Sequence, residues 1–154
     1  MSSRIVVDGD SCPVKAEIIE IAGQFGISVL MVSSFDHVLK EASGGVEVVQ
    51  VDRSQQSADL YIVNHIRRGD IVVTQDYGLA ALVLAKSCQA ISPRGDVFHP
   101  GNIDYLLERR HAQAKARRSG KHSKGPRPFS EEDRQHFRSS LINLLRDLQE
   151  NVQF

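Results

Sequence analysis

Long apolar runs are missing from this sequence, and no stretch approaches the ~20 residues that a membrane-spanning helix needs. Cysteine is scarce. Cys12 and Cys88 stand far apart, without the spacing of a metal-ligand pair, so no disulfide framework is expected and a reducing compartment suits the chain. Aromatic residues make up only 6%, and stacking platforms for single-stranded bases are not evident. The first apolar run, Ile5-Val6-Val7, is cut short by Asp8, which leaves no signal-peptide core. Internal repeats are absent as well. These absences predict a cytoplasmic protein without a membrane partner.

One further absence is local. Residues 109–127 contain no acid, while Arg109, Arg110, Lys115, Arg117, Arg118, Lys121, Lys124 and Arg127 supply positive charge, with His111 and His122 among them. The whole chain is formally neutral, with 19 Lys+Arg against 19 Asp+Glu, so the remainder is net acidic. Such a division predicts a polyanionic partner. Several phosphates held by these residues would give strongly salt-dependent binding. A solvated basic loop is the plainer reading of such a run. Nucleic acid is the expected partner, RNA in preference to DNA, and the oligomeric state is not legible.

What is present suits one domain. The 154 residues are 41% apolar and 25% charged, enough for a single core and too few for two. A strand is predicted over 4–7, then a helix from Pro13 carrying Val14, Ile18, Ile21, Ala22 and Phe25 at helical spacing, stopped by Gly26. Further strands are predicted at 27–32, 46–51, 71–73 and 89–92. Between them the pattern predicts a short helix near 37–42 and helices over 57–68 and 79–86. Strands alternating with helices imply a three-layer α/β/α fold around a mostly parallel sheet. The turn at Pro93-Arg94-Gly95-Asp96 breaks this rhythm.

Asn102 is placed to cap a helix that enters the basic stretch, and glycines and prolines over 119–128 predict a loop. Ser130 with Asp133 resembles a capping box, and Phe137, Leu141, Leu144, Leu145 and Leu148 form an apolar stripe beyond it. Residues 1–104 are thus the expected core. Residues 105–154 add the basic helix and loop and a C-terminal helix packed on that core, one domain overall.

Ligands of open parallel sheets bind beyond the carboxyl ends of the strands. Asp8 and Asp10 follow the first strand, Asp76 follows the strand at 71–73, and Asp59 sits in the first turn of the intervening helix. Converging carboxylates repel unless a cation neutralises them, and Mg²⁺ takes one or two carboxylates with waters and substrate phosphates. Such an ion activates water and stabilises phosphoryl charge, as phosphodiester hydrolysis requires. Structural readings compete with this. Asp10 or Ser11 would cap the first helix, Asp59 would complement a helix dipole by about 0.3–1 kcal/mol, and Asp76 would cap the helix near Leu79. Asp8, ending a buried strand, has the weakest structural reason.

Around these acids the sequence resembles a known family. Val7-Asp8-Gly9-Asp10-Ser11-Cys12-Pro13-Val14-Lys15 looks like the VDADACPVK opening of the YaiI/YqxD family of uncharacterised bacterial proteins. Gly69-Asp70-Ile71-Val72-Val73-Thr74-Gln75-Asp76 with Leu79-Ala80-Ala81, then Ser92-Pro93-Arg94-Gly95 and Gly125-Pro126-Arg127-Pro128-Phe129, resemble its later signatures in order. The resemblance implies a PIN-like (NYN-type) nuclease fold, with Asp8 and Asp76 as the central acids and Asp10 and Asp59 beside them. It implies one or two Mg²⁺ or Mn²⁺ ions. Gly9 and Ser11 stand where the family has alanines, Ser57 likewise. Gln56 replaces the first acid of its DAAD motif, which leaves Asp59 as the middle acid, weakens the case for two ions and permits a single-ion site.

Other residues carry smaller expectations. Lys15 is placed to meet phosphate or solvent, and Thr74 to ligate or orient a water near Asp76. Cys12 at a helix start has either a lowered thiol pKa or, more commonly, an inert buried one. His65, His99 and His136 show no ligand spacing and are assigned structural roles. Two readings compete with a metal-dependent nuclease. Asp8-Gly9-Asp10 has the DxD form of haloacid dehalogenase-type phosphatases, with Asp8 as nucleophile, though no cap insertion or paired late acids accompany it. Alternatively the chain is a non-catalytic RNA-binding module, a reading that Gln56 keeps open.

Overall fold

The computed structural model describes residues 3–34, 45–52, 57–118 and 128–152. The expected helix at 37–42, Gln56, and the cations Lys121, Lys124 and Arg127 lie outside them. Strands β1 (Ile5–Asp8), β2 (Val29–Ser34), β3 (Val46–Val51), β4 (Ile71–Val73), β5 (Gln89–Ile91) and β6 (Val97–Phe98) alternate with helices α1 (Lys15–Phe25), α2 (Ala58–His65) and α3 (Tyr77–Ala85). Two longer helices follow, α4 (Pro100–Arg118) and α5 (Glu131–Val152). The sheet order is β3-β2-β1-β4-β5-β6. Every pairing is parallel except the last, β5 with β6.

Alternation along the strands splits the core into two. Ile5, Val7, Met31, Ile71 and Val73 meet Ile18 and Ile21 of α1 and Phe137, Leu141 and Leu145 of α5. Val6, Leu30, Val32 and Val72 meet Ile62 of α2, Leu79 and Val83 of α3 and Ile103 of α4 on the opposite face. The result is a mixed α/β fold whose mostly parallel sheet is covered on both sides. Among the described residues, no helix is long and apolar enough to cross a membrane.

Several boundaries differ from those read in the sequence, each for a local reason. α2 stops at His65, three residues early, because Ile66 turns extended. Arg4 holds the chain there, donating to the His65 carbonyl at 2.6 Å and to the buried Asp70 carboxylate at 3.2 Å. α3 begins two residues early, capped by Asp76. α4 starts at Pro100, so Asn102 is not its cap but lies inside the first turn. Its Oδ1 accepts from the His99 amide at 3.0 Å, bonding back across the helix start. Gly26 ends α1 in the left-handed region (φ 66°), where a glycine costs least.

β6 was not foreseen, because two residues show no periodicity. Its turn depends on Gly95 (φ 96°), where an added Cβ would lie 2.7 Å from His136 Nδ1 and 2.8 Å from the His136 backbone. Gly95→Ala is therefore expected to destabilise the fold by about 1–3 kcal/mol from backbone strain, with the clash added. Urea unfolding of the variant checks this, and an unchanged midpoint would show that the turn relaxes freely.

Candidate active site at the carboxyl edge of the sheet

In this strand order the chain builds outward from β1 on one side, then crosses to β4 on the other. The topological switch point is the β1/β4 boundary, where open α/β sheets bind ligands. Asp8 closes β1 there, and Thr74-Gln75-Asp76 leaves β4 there. Alternation puts Asp8 on the face of Val6 and Thr74 on the face of Val72, toward α2 and α3.

The two strand ends are joined by one hydroxyl. Thr74 Oγ1 accepts from the Asp76 amide at 3.0 Å and donates to Asp8 Oδ2 at 3.1 Å. Its bonds run to Asp8 and Asp76 themselves. Asp76 Oδ1 accepts from the amides of Gly78 at 2.9 Å and Leu79 at 3.3 Å, capping α3. Asp10 does not cap α1. Residues Gly9–Ser11 form a 3₁₀ turn instead, and Asp10 Oδ1 accepts from the amide of Ser34 at 2.8 Å and from its hydroxyl at 3.3 Å. Asp10 thereby pins the end of β1 to the end of β2. A Cβ at Gly9, where the family has alanine, would stand 3.0 Å from the Val32 carbonyl oxygen, a tight contact relieved by a small shift.

The electrostatics centre on Asp8. Burial pushes its carboxyl above the ordinary value of 3.8, the Thr74 bond opposes this, and the charges of Asp10, Asp76 and Asp59 push it up further. Asp59 is exposed in the first turn of α2 and makes its contribution at longer range. The other three acids singled out from the sequence thus act on the Asp8 carboxylate. Thr74→Val should raise the Asp8 pKa further, because it removes the hydrogen bond that lowers it. It should also cost about 1–3 kcal/mol, by leaving the Asp76 amide without its acceptor. Thr74→Ser should restore both. Carboxyl NMR titration of Asp8 and urea unfolding measure the two effects, and a Val variant matching wild type in both would contradict them.

Among the described residues, no three His, Cys, Asp or Glu side chains form a group that could hold a metal ion by themselves. That excludes a closed protein cage from this part of the chain. It leaves the kind of site Mg²⁺ favours, with one or two carboxylates and the remaining positions filled by water and substrate phosphate. Asp8 and Asp76 fit that role, with Asp10 and Asp59 adding negative potential.

Cys12 does not have the lowered thiol pKa entertained from its position. Burial pushes it up to about 11, against the smaller opposing effects of the Val14 backbone and Lys15. Lys15 is the first residue of α1, half-buried beside this thiol. Ser11 belongs to the 3₁₀ turn. Of the basic residues, Arg109 and Lys115 are exposed on α4, and Arg110, Arg117 and Arg118 are positions of the same helix.

Two sequence signatures meet beside the site. β5 follows β4 in the sheet, and the Thr74 amide donates to the Ile91 carbonyl at 3.0 Å. Arg94, just beyond β5, bonds Asp133 at 2.8 Å, and its guanidinium lies 5.6 Å from the centre of the Phe129 ring. Arg134 lies 5.1 Å from the same ring and donates to the Pro13 carbonyl at 2.8 Å. The start of α5 is therefore tied to the loops that follow both β1 and β5. Arg94 belongs to the Ser92-Pro93-Arg94-Gly95 signature, whereas only pairing across the fold reveals Ser34 and Arg134.

With this geometry in place, comparison with known proteins is informative. The profile described as an uncharacterised YaiI/YqxD family matches residues 6–147. The chain belongs to the YaiI/YqxD family. A UPF0178 protein of Bacillus velezensis is 47% identical over 141 residues, covering 92% of this chain and 84% of its own. One from Halalkalibacterium halodurans is 47% identical over 142 residues, covering 92% and 90%. One from Enterococcus faecalis is 43% identical over 144 residues, covering 93% and 97%. The solved structure of Rae1 (YacP) from Bacillus subtilis aligns with a TM-score of 0.45 and 15% identity, over 97% of this chain and 99% of that one. That likeness is too weak to bear on the site. The stretch matched by the family, residues 6–147, includes the positions of all four acids.

Proposed function

We propose that this YaiI/YqxD protein is a metal-dependent nuclease of PIN-like type that hydrolyses phosphodiester bonds, with RNA as the favoured substrate. The observation that carries the reading is the pairing of Asp8 and Asp76 through Thr74 at the switch point of the sheet. A structural carboxylate has little reason to sit half-buried with three other acids raising its pKa, whereas a cation-binding one does. Asp8 and Asp76 would hold Mg²⁺ or Mn²⁺, which when bound supplies a water of lowered pKa and offsets charge on the phosphate. Thr74 favours the ionised form of Asp8 and fixes its orientation. Asp10 holds the β1 end in place through Ser34, and the basic residues of α4 draw in the polyanion.

Cleavage of end-labelled structured and single-stranded RNA, with Mg²⁺ or Mn²⁺ and with chelator, tests this against Asp8→Asn and Asp76→Asn. Metal-dependent products lost in both variants support the nuclease. Products that persist in both point to another site or a contaminant.

One observation favours a second reading. Asp10 and Asp76 each spend an oxygen on backbone amides, and the described residues form no three-ligand metal group, as a decayed site in an RNA-binding module would. Salt-sensitive RNA binding without any cleavage would favour it. The haloacid dehalogenase reading is weaker, because it needs Asp10 as proton donor and Ser34 occupies that carboxylate.

A further inference from the structure

Helix α4 has two unlike halves. Its first part is held by the core through Ile103 and Leu107. From Glu108 to the end it contains no apolar residue larger than alanine and, from Arg109 onward, no acid. Glu108, Arg109, His111, Ala112 and Lys115 are exposed. This half extends about 16 Å at 1.5 Å per residue.

The cationic positions are spread around its axis. At about 100° per residue, positions 109, 117, 110, 118 and 115 fall near about 0°, 80°, 100°, 180° and 240°. No sector wider than about 120° lacks one. A helix that lies on a membrane needs an apolar face, and this one has none. A single strand, or any one-sided acidic surface, would engage one side and leave the cations opposite it in water. A groove of a double helix places phosphates on both sides of a helix that enters it. The major groove of B-form DNA is wide enough for this, and the regular A-form major groove is not. An RNA partner would have to open its groove at a bulge or internal loop.

We infer that residues 108–118 of α4 enter a groove of a double-helical nucleic acid, with their charges shared between the phosphates of both strands. The inference rests on the nucleic-acid reading above and narrows its substrate to a duplex or a fold containing one.

The test uses full-length Asp8→Asn protein, so that cleavage does not interfere, and labelled 20-base-pair RNA and DNA duplexes, a bulged RNA duplex, and their separated strands. Fluorescence anisotropy should show at least one duplex bound tenfold or more tighter than either of its strands. Arg109→Ala and Arg118→Ala, at opposite positions on the helix, should each lower the salt-dependence slope by about 0.9, with unchanged thermal melting. Equal affinity for strands and duplexes would overturn the inference, as would a slope that responds to only one of the opposite pair. Duplex binding by a wild type that cleaves nothing would leave the inference standing and remove the nuclease reading. Cleavage confined to single strands, with no duplex preference, would do the reverse.

Discussion

Replacing Asp8 by Asn is expected to make the metal-free protein more stable at neutral pH while abolishing the proposed metal-dependent cleavage. The folded-state pKa of Asp8 lies above 3.8, chiefly through burial and then through three neighbouring acids. The folded protein therefore holds this proton more tightly than the unfolded chain does. As pH rises from the unfolded value through the folded one, ionisation costs the folded state stability, and the whole cost is present above the folded pKa. Asn keeps an oxygen that can accept from Thr74 and carries no charge. The stability difference between variant and wild type should thus be absent in acid, grow as pH rises, and level off at neutrality. A gain of about 0.5–2 kcal/mol is the usual size for relieving one strained functional position. Denaturant unfolding of both proteins across pH 3–8 with chelator present measures it. An Asn variant less stable than wild type at pH 7 would show that Asp8 is structural and would weaken the functional reading.

The second large effect concerns α5. Phe137 is fully buried and packs with Leu141 and Leu145 against the face of the sheet that carries Val7 and Val73. Phe137→Ala should cost about 3–5 kcal/mol, a large share of the 5–15 kcal/mol that stabilises a domain of this size. The same helix anchors the site's surroundings, through Asp133 to Arg94 and Arg134 to the Pro13 carbonyl. A cooperative unfolding transition with a much lower midpoint is the expected result. A small change, or loss of α5 in a separate transition, would mean that this helix is an appendage rather than part of the core.

These residues also show what a sequence can and cannot disclose. Asp8 is legible because a buried β-branched run ends abruptly in it, and Asp76 because it follows another such run within three residues. Their pairing was not written there. It depends on β4 lying beside β1, a choice of strand order that the local pattern leaves open. Asp10 looked like a helix cap because its neighbours are all that one chain segment offers, and its partner Ser34 lies 24 residues away. Arg4 and Asp70, 66 residues apart, escaped for the same reason. Local rules failed in a different way at Asn102. The capping chemistry was recognised, but Pro100, which needs no amide partner in a first turn, starts the helix earlier. The thiol of Cys12 shows that position at a helix start does not decide a pKa when burial outweighs it.

The central claim is that the acids at the β1/β4 boundary form a cation site. Titration of the protein with Mn²⁺, following the unbound ion by its electron paramagnetic resonance signal, tests it most directly. One ion should bind per chain, lost in Asp8→Asn and weakened in Asp76→Asn, while both variants keep their fold. Binding unaltered by either substitution, or none in the wild type even with RNA present, would contradict it.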